Sequence, residues 1–443
     1  MSSGHGHGHV ATRAELTPMA SKPAVELART VALALAVVGF AAFAYGAATG
    51  QHRAWQAFQV NWMFFTTIAS AAVAFAAVQR IVTARWSRSV VRFFEGFVAW
   101  MPIALVLLLV TMLGGLDHIY PWATTPPHTH EKALWLAKSF LIPRDLVIFA
   151  GLTLLSLWFV YNSVRLDVAI LPESGLAWAK GLRARMRAGF GDERRELHTQ
   201  HSLQGKIAVA LVILFAFGWV ALSWDLSMSA DVHFQSTMYG WQIFMGGWVA
   251  MLCMMALLFR VWRNHLGMHE VIGEQQFHDI GKLCFAFTAF WGYITFAQYL
   301  VIWYGNVPEE THFFNLRLTD PWKSLTLSYV VLMFILPFFG LMGRYPKIFT
   351  PTMTIFGLSS IVGLWIHRYT ELYPSIYGEI SNLPFGLWEI AITAGFLGLF
   401  AWSYLGFMDA FPKVRVFMMT TPCRDEVQVP VDAETMEPLP AHE

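Results

Sequence analysis

The sequence predicts an all-α integral membrane protein with ten transmembrane helices, and three observations predict it. Hydrophobic residues make up 56% of the 443-residue chain and charged ones only 13%, well below the charged share of a soluble domain. Apolar runs of about twenty residues, the length that crosses a bilayer as a helix, recur along the whole chain. Lys and Arg are distributed unevenly between the two sets of connecting segments, as topology in a membrane requires. A formal net charge of +1 offers nothing that would attract nucleic acid. The three Cys (Cys253, Cys284 and Cys423) include no CxxC pair, which excludes a self-contained iron–sulfur cluster or a four-thiolate zinc site.

In chain order, residues 1–26 hold HGHGH, Ser, Thr and Pro and read as a disordered cytoplasmic tail. His5, His7 and His9 sit in that tail without the rigid spacing that would fix a metal ion. The run 27–50 is too long and too far from the start for a signal-peptide core, and is expected as a retained flanking helix. Further spans follow at roughly 55–79, 94–115, 144–165, 207–226, 239–263, 281–304, 324–343, 350–366 and 384–408. The last of these is the second flanking helix, and 409–443 is a cytoplasmic tail. Residues 55–226 form one expected four-helix bundle with a basic cytoplasmic linker at 166–206, and 239–366 form a second. The second and sixth spans begin alike, with Asn61 and Trp62 in one and Gly240, Trp241 and Gln242 in the other, as a duplicated unit would.

An even number of spans puts both termini on one side. With that side cytoplasmic, only seven of the 30 Lys and Arg fall outside (Arg53, Lys132, Lys138, Arg144, Arg317, Lys323 and Arg368), a positive-inside distribution. The 16 His are placed in tails, loops or helix ends. No haem held between two central His is therefore expected, although His118 and His367 stand at outer edges.

Chemistry is expected in two places. At the outer side, Asp117 and His118 close the third span, Arg144 and Asp145 open the fourth, and Trp224 and Asp225 close the fifth, under Tyr120 and Trp122. Carboxylates and an imidazole at that level suit a quinone head group, whose oxygens need hydrogen bonds and whose protons need an acceptor. The same residues also suit helix caps and an ion pair of Arg144 with Asp117 or Asp225. The second place is the stretch Phe277 to Thr311. It opens on His278, Asp279 and Lys282 and closes on Tyr304, Asn306, Glu309 and Glu310. Between them, Cys284, Thr288, Trp291, Thr295 and Gln298 recur at helical spacing as a polar-to-small stripe. With Glu389 nearby, His278, Asp279, Thr288, Gln298 and Glu309 mark a proton route through the second bundle. Helix packing through hydrogen bonds, and a solvated loop with Asp279 as a cap, account for the same residues.

That stretch, HDIGKLCFAFTAFWGYITFAQYLVIWYGNVPEET, together with SWDLSMSADVHFQSTMYG before it, resembles the ActF-type membrane subunit of bacterial alternative complex III. This complex is a quinol:cytochrome c oxidoreductase, and the subunit is a relative of the NrfD and PsrC membrane subunits. The resemblance runs from about Asn61 to Phe407 and favours ActF over its sister ActC. It implies ten helices in two four-helix bundles with flanking helices, and a bacterial inner-membrane location. It also implies ActC-like and ActD-like membrane partners, and iron–sulfur and multihaem cytochrome subunits that carry the redox centres. No cofactor bound by ligation in this chain is then expected, while quinone or quinol is. The expectation is a subunit that is not catalytic alone. A secondary transporter, favoured by the repeat and the polar-lined helices, and a purely structural anchor are the rival readings.

Overall fold

Helix α3 (His52–Ile81) shows how the chain is assembled. Its middle, IASAAVAFAA, is mostly small side chains, so neighbouring backbones can approach on every side. Every residue from Ala54 to Ala77 is buried, without the lipid-facing stripe a peripheral span would keep. The computed structural model describes residues 12–125, 127 and 129–420, Arg194 by its backbone alone. Among these, every regular element is a helix, and nine helical segments are long and apolar enough to cross a membrane.

The order is α1 (Arg13–Ser21), α2 (Glu26–Ala48), α3, then α4, a continuous rod over Val91–Ile119 with a π-type turn at Thr111–Gly115. A short α5 (His130–Trp135) precedes the long α6 (Lys138–Ile170), the surface helix α7 (Lys180–Arg187) and α8 (Glu193–Leu226). Next come α9 (Thr237–Leu266), α10 (Glu274–Gly305) and a short α11 (Pro308–Arg317). The rod α12 (Trp322–Gly340), short α13 (Arg344–Ile348), α14 (Thr350–Tyr377), α15 (Leu387–Ala410) and short α16 (Val416–Thr420) complete the chain. Helix α14 is long, but it is not among the nine because its second half carries His367, Arg368 and Glu371.

Helix α3 touches α2, α8, α9, α14 and α15. Tryptophan N–H groups tie it to its neighbours. Trp62 Nε1 donates to Ala104 O at 2.8 Å, Trp100 Nε1 to Thr66 Oγ1 at 3.1 Å, and Trp365 Nε1 on α14 to Asn61 Oδ1 at 3.1 Å. Where α2 crosses α15, a Cβ on Gly39 would stand 2.2 Å from Gly395 Cα, so the crossing requires glycine on both helices.

Both ends of the described chain lie at one end of the bundle, the basic end. Asp409 Oδ1 accepts from Ala24 N at 2.7 Å, Lys413 N donates to Ala20 O at 3.1 Å, and Lys22 Nζ reaches His265 O. Here a wholly buried cluster joins α4 to α6. Arg92 binds Glu95 at 2.6 Å and Asp167 at 2.5 Å, Ser163 Oγ donates to Glu95, and Phe417 N caps Asp167 at 2.8 Å. At the opposite end Arg53 pairs with Glu389 at 2.7 Å, Tyr373 donates to Glu389 at 3.0 Å, and Tyr377 donates to Gln56 at 2.7 Å.

Three expectations are corrected. The N-terminal tail does not extend to residue 26: from Thr12, whose hydroxyl caps Glu15 N while Glu15 answers on Thr12 N, the chain is helical and packs against α16. His5, His7, His9 and Cys423 lie outside the described residues. The segment 166–206 is largely helical, because α6 continues to Ile170 and α8 already begins at Glu193, where Asp192 caps it. The ninth apolar run does not end at 366. Its helix continues to Tyr377, since Arg368 and Glu371 neutralise each other inside it, and His367 is thereby an interior residue rather than an edge one.

Candidate functional site

The residues proposed from sequence for a quinone site divide into two groups. Asp145 and Asp225, on α6 and α8, are fully buried and stand side by side. Arg144 lies over the Trp135 ring at 4.0 Å and donates to Asp225 Oδ2 at 2.8 Å, while Trp135 Nε1 donates to Asp225 Oδ1 at 2.8 Å. Asp225 is therefore well satisfied. Asp145 is not: no donor reaches either carboxylate oxygen, and Arg144 Nε stays 3.8 Å away. Above the pair, Tyr120 donates to Leu226 O at 2.7 Å. Burial, then the charges of Asp145 and Asp225, hold its hydroxyl well above the usual tyrosine range.

Asp117 and His118 belong elsewhere. Asp117 is exposed and pairs with Lys138. His118 stacks on Trp55 at 5.8 Å and lies 3.3 Å from His52, nitrogen to nitrogen. Of the two ion pairs open to Arg144, the structure makes the one with Asp225.

The stripe on α10 faces inward as its spacing demands. Cys284 and Cys253 are both buried free thiols, facing each other from α10 and α9. Thr288 is buried with no partner for its hydroxyl, Thr295 accepts from Gln242 Nε2 at 3.2 Å, and Gln298 Nε2 donates to Ser236 at 3.1 Å while its own oxygen goes unmatched. Trp291 Nε1 is also buried without an acceptor. At the basic end of α10, Asp279 pairs with Lys282 at 2.7 Å and accepts from Gln275. It lies one turn inside the helix, so it is not the cap. His278 is half-buried beside it, and at the far end Glu309 is exposed on α11.

The stripe opens on a cavity of about 280 Å³ enclosed by α9 to α12 and α14. Its inner end is polar. His367 Nδ1 stands 3.1 Å from Glu371 Oε1, close but off the line of a hydrogen bond. Arg368 grips Glu371 through both carboxylate oxygens at 2.9 and 2.8 Å and donates to Ile243 O at 2.5 Å. Arg317 donates to Glu371 O at 2.8 Å and Thr370 O at 2.9 Å; burial draws it down to about 10, which leaves it charged at neutral pH. Tyr329 packs on the imidazole at 4.6 Å between ring centres, and Trp291 meets it edge-on at 5.5 Å. Among the described residues neither the Tyr329 hydroxyl nor His367 Nε2 has a hydrogen-bond partner, so both are free to serve whatever enters. The outer wall is apolar and opens beside Phe296 and Leu327, both more than half exposed on the bundle's flank.

Tyr329, Arg317 and Glu371 were missed from sequence. The available signal was the i, i+4 pair His367 and Glu371 with Arg368 between them, which reads as a loop only if the helix is ended too early. No group of three His, Cys, Asp or Glu gathers to hold a metal among the described residues. No protein-family model matches the chain, and no curated protein is significantly similar to it.

Proposed function

We propose that the chain is the ActF-type integral membrane subunit of a quinol:electron-acceptor oxidoreductase, with a quinol head-group site in the cavity beside His367. The observation that carries this reading is the cavity's polarity. A lipid-facing apolar wall admits an isoprenoid-tailed molecule, and the inner end presents a hydroxyl and an imidazole backed by a carboxylate, the groups a dihydroxy-aromatic ring needs. Quinol oxidation releases two electrons and two protons. His367 Nε2 accepts the two protons one after the other, releasing the first toward the α10 stripe before it takes the second; Glu371 stabilises the imidazolium formed each time, and Tyr329 hydrogen-bonds the ring oxygen. The electrons leave to redox centres in partner subunits. The buried stripe Thr288, Trp291 and Gln298 of α10, leading from His278 and Asp279, is the proton route this proposal assigns to the second half.

In the same proposal, α14 is a tenth span, and the ten form two four-helix bundles with α2 and α15 as flanks. The basic end faces the cytoplasm of a bacterium, and haems and iron–sulfur clusters belong to the partners. The pair Asp145 and Asp225 is the second reading for the head group, favoured by Asp145's two unmatched oxygens. Purification from the native membrane in mild detergent, with identification of co-purifying chains, a haem spectrum and a quinol-oxidation assay, tests the proposal. Multihaem and iron–sulfur partners with quinol oxidation are expected. A lone, colourless protein would overturn it and send the question to a transport assay.

A further inference from the structure

At the basic end, on the far side of the molecule from the His367 cavity, α2, α4, α6 and α15 leave an open groove of about 560 Å³. Its walls are apolar (Ile103, Leu157, Val160 and Phe407 among them), with Tyr161 and Trp402 set into them. Surface helix α7 roofs the mouth. Its Arg183 and Arg187 are both held by Glu173, which ties the helix to the segment before it. Trp178, just before it, and Leu182 stay exposed at the rim, 64% and 38% respectively, while Lys180 and Arg185 point to solvent. A basic helix with exposed Trp and Leu beside it has the composition of one lying in the headgroup layer.

Arg29 of α2 stands at the junction of this groove with a second, more polar cavity of about 680 Å³, and Trp402 borders both. Arg29 is half-buried on a membrane-crossing helix and has no hydrogen bond or ion pair among the described residues. The carboxylates nearest in that cavity do not neutralise it. Glu26, one turn earlier on α2, is exposed and makes no ion pair with it, and Asp409 is occupied by Lys413 at 3.3 Å and Ala24 N. A cation left unmatched at the edge of the hydrocarbon layer calls for an anion there. We infer that the groove binds one anionic diacyl phospholipid, with an acyl chain lying along α4, α6 and α15 and the phosphate held by Arg29. Charge complementarity decides for a lipid over a neutral partner helix, because the apolar walls and the cation meet at the depth where a phospholipid's ester and phosphate lie.

The test uses the full-length protein with whatever partners accompany it, stripped of lipid in detergent and reloaded from micelles holding equal phosphatidylglycerol and phosphatidylcholine. Retained lipid is then read by native mass spectrometry. One phosphatidylglycerol per chain is expected, retained at least fivefold over phosphatidylcholine. Arg29→Gln removes a side chain that makes no hydrogen bond or ion pair among the described residues and should abolish the preference while some lipid of either kind stays. Glu26→Gln should strengthen it. Gly406→Phe should expel both lipids, since a Cβ at Gly406 meets no atom within 4 Å and the ring would grow into the groove. Equal retention of the two lipids by the unaltered protein, or a preference that survives Arg29→Gln, overturns the inference. So does a photo-crosslinker at position 406 that captures a polypeptide in native membranes instead of lipid. None of these readouts depends on quinol oxidation, so the lipid site stands or falls apart from the function proposed above.

Discussion

Two buried acidic centres lie toward the same end of the bundle and solve the problem of a carboxylate in the membrane differently. Glu371 is held by Arg368 through both oxygens, touched by His367 and backed by Arg317 at its own carbonyl. Asp145 has only Asp225, whose own oxygens are taken by Arg144 and Trp135. The first centre faces a cavity yet is electrostatically complete, so its free valences belong to His367 and Tyr329. The second is incomplete in itself. A carboxylate built into a network supports a neighbour's chemistry, whereas an unmatched one must obtain its partner from outside.

Breaking the complete centre should produce the largest effect. Glu371→Leu strands Arg368 in the interior and should cost about 3–5 kcal/mol of stability by thermal unfolding in detergent, while the double change with Arg368→Met should restore most of it. A loss below about 1 kcal/mol would mean the network does not hold the fold. His367→Gln keeps the shape of the cavity but removes the proton acceptor. Quinol oxidation by the assembled complex should fall by about 10²–10⁴-fold, the contribution of a positioned base, with the unfolding midpoint little changed. If Asp145→Asn produces that fall and His367→Gln does not, the head group belongs at the Asp145 and Asp225 pair.

Smaller effects sharpen the contrast. Arg144→Met removes two hydrogen bonds to Asp225 near the rim and should cost about 1–3 kcal/mol, clearly less than Glu371→Leu. Asp145→Asn should be neutral or stabilising within about 1 kcal/mol, because it replaces a buried carboxyl that no donor satisfies. Destabilisation beyond 2 kcal/mol would reveal a partner for Asp145 that the geometry does not contain. Thr295→Val, which deprives Gln242 of its acceptor beside the cavity, should cost about 1 kcal/mol and leave both centres unchanged.

How much of this the sequence disclosed follows from what hydropathy reports. Apolar length located the helical segments, and the 3.6-residue period correctly turned Cys284, Thr288, Trp291 and Gln298 inward, since both are local properties. Hydropathy also ended the helix of His367 too early: it counts Arg368 and Glu371 as charges and cannot see that they cancel three residues apart. Pairings between distant segments were out of reach for the same reason. Nothing in the spacing distinguishes Asp117, which meets Lys138 at the surface, from Asp145, which meets Asp225 some 80 residues away in sequence. The centrality of α3 was likewise hidden, because a helix surrounded by protein and one surrounded by lipid are both apolar all round. Its run of small residues was the available clue.

The Arg92 cluster also bears on the order of synthesis. Arg92 and Glu95 leave the ribosome with the fourth helix and Asp167 with the sixth, but the backbone N–H that completes Asp167 belongs to Phe417, beyond the last span. The chain thus keeps, in a site laid down by its first half, an acceptor that is filled only once residue 417 has been added. A chain that ends after Ala410 would carry all nine apolar segments and still leave this acceptor short of a donor. A pulse-chase comparison of chains stopped after residues 410 and 420 reads this directly: the shorter should decay severalfold faster, and equal lifetimes would show that the junction is not sensed.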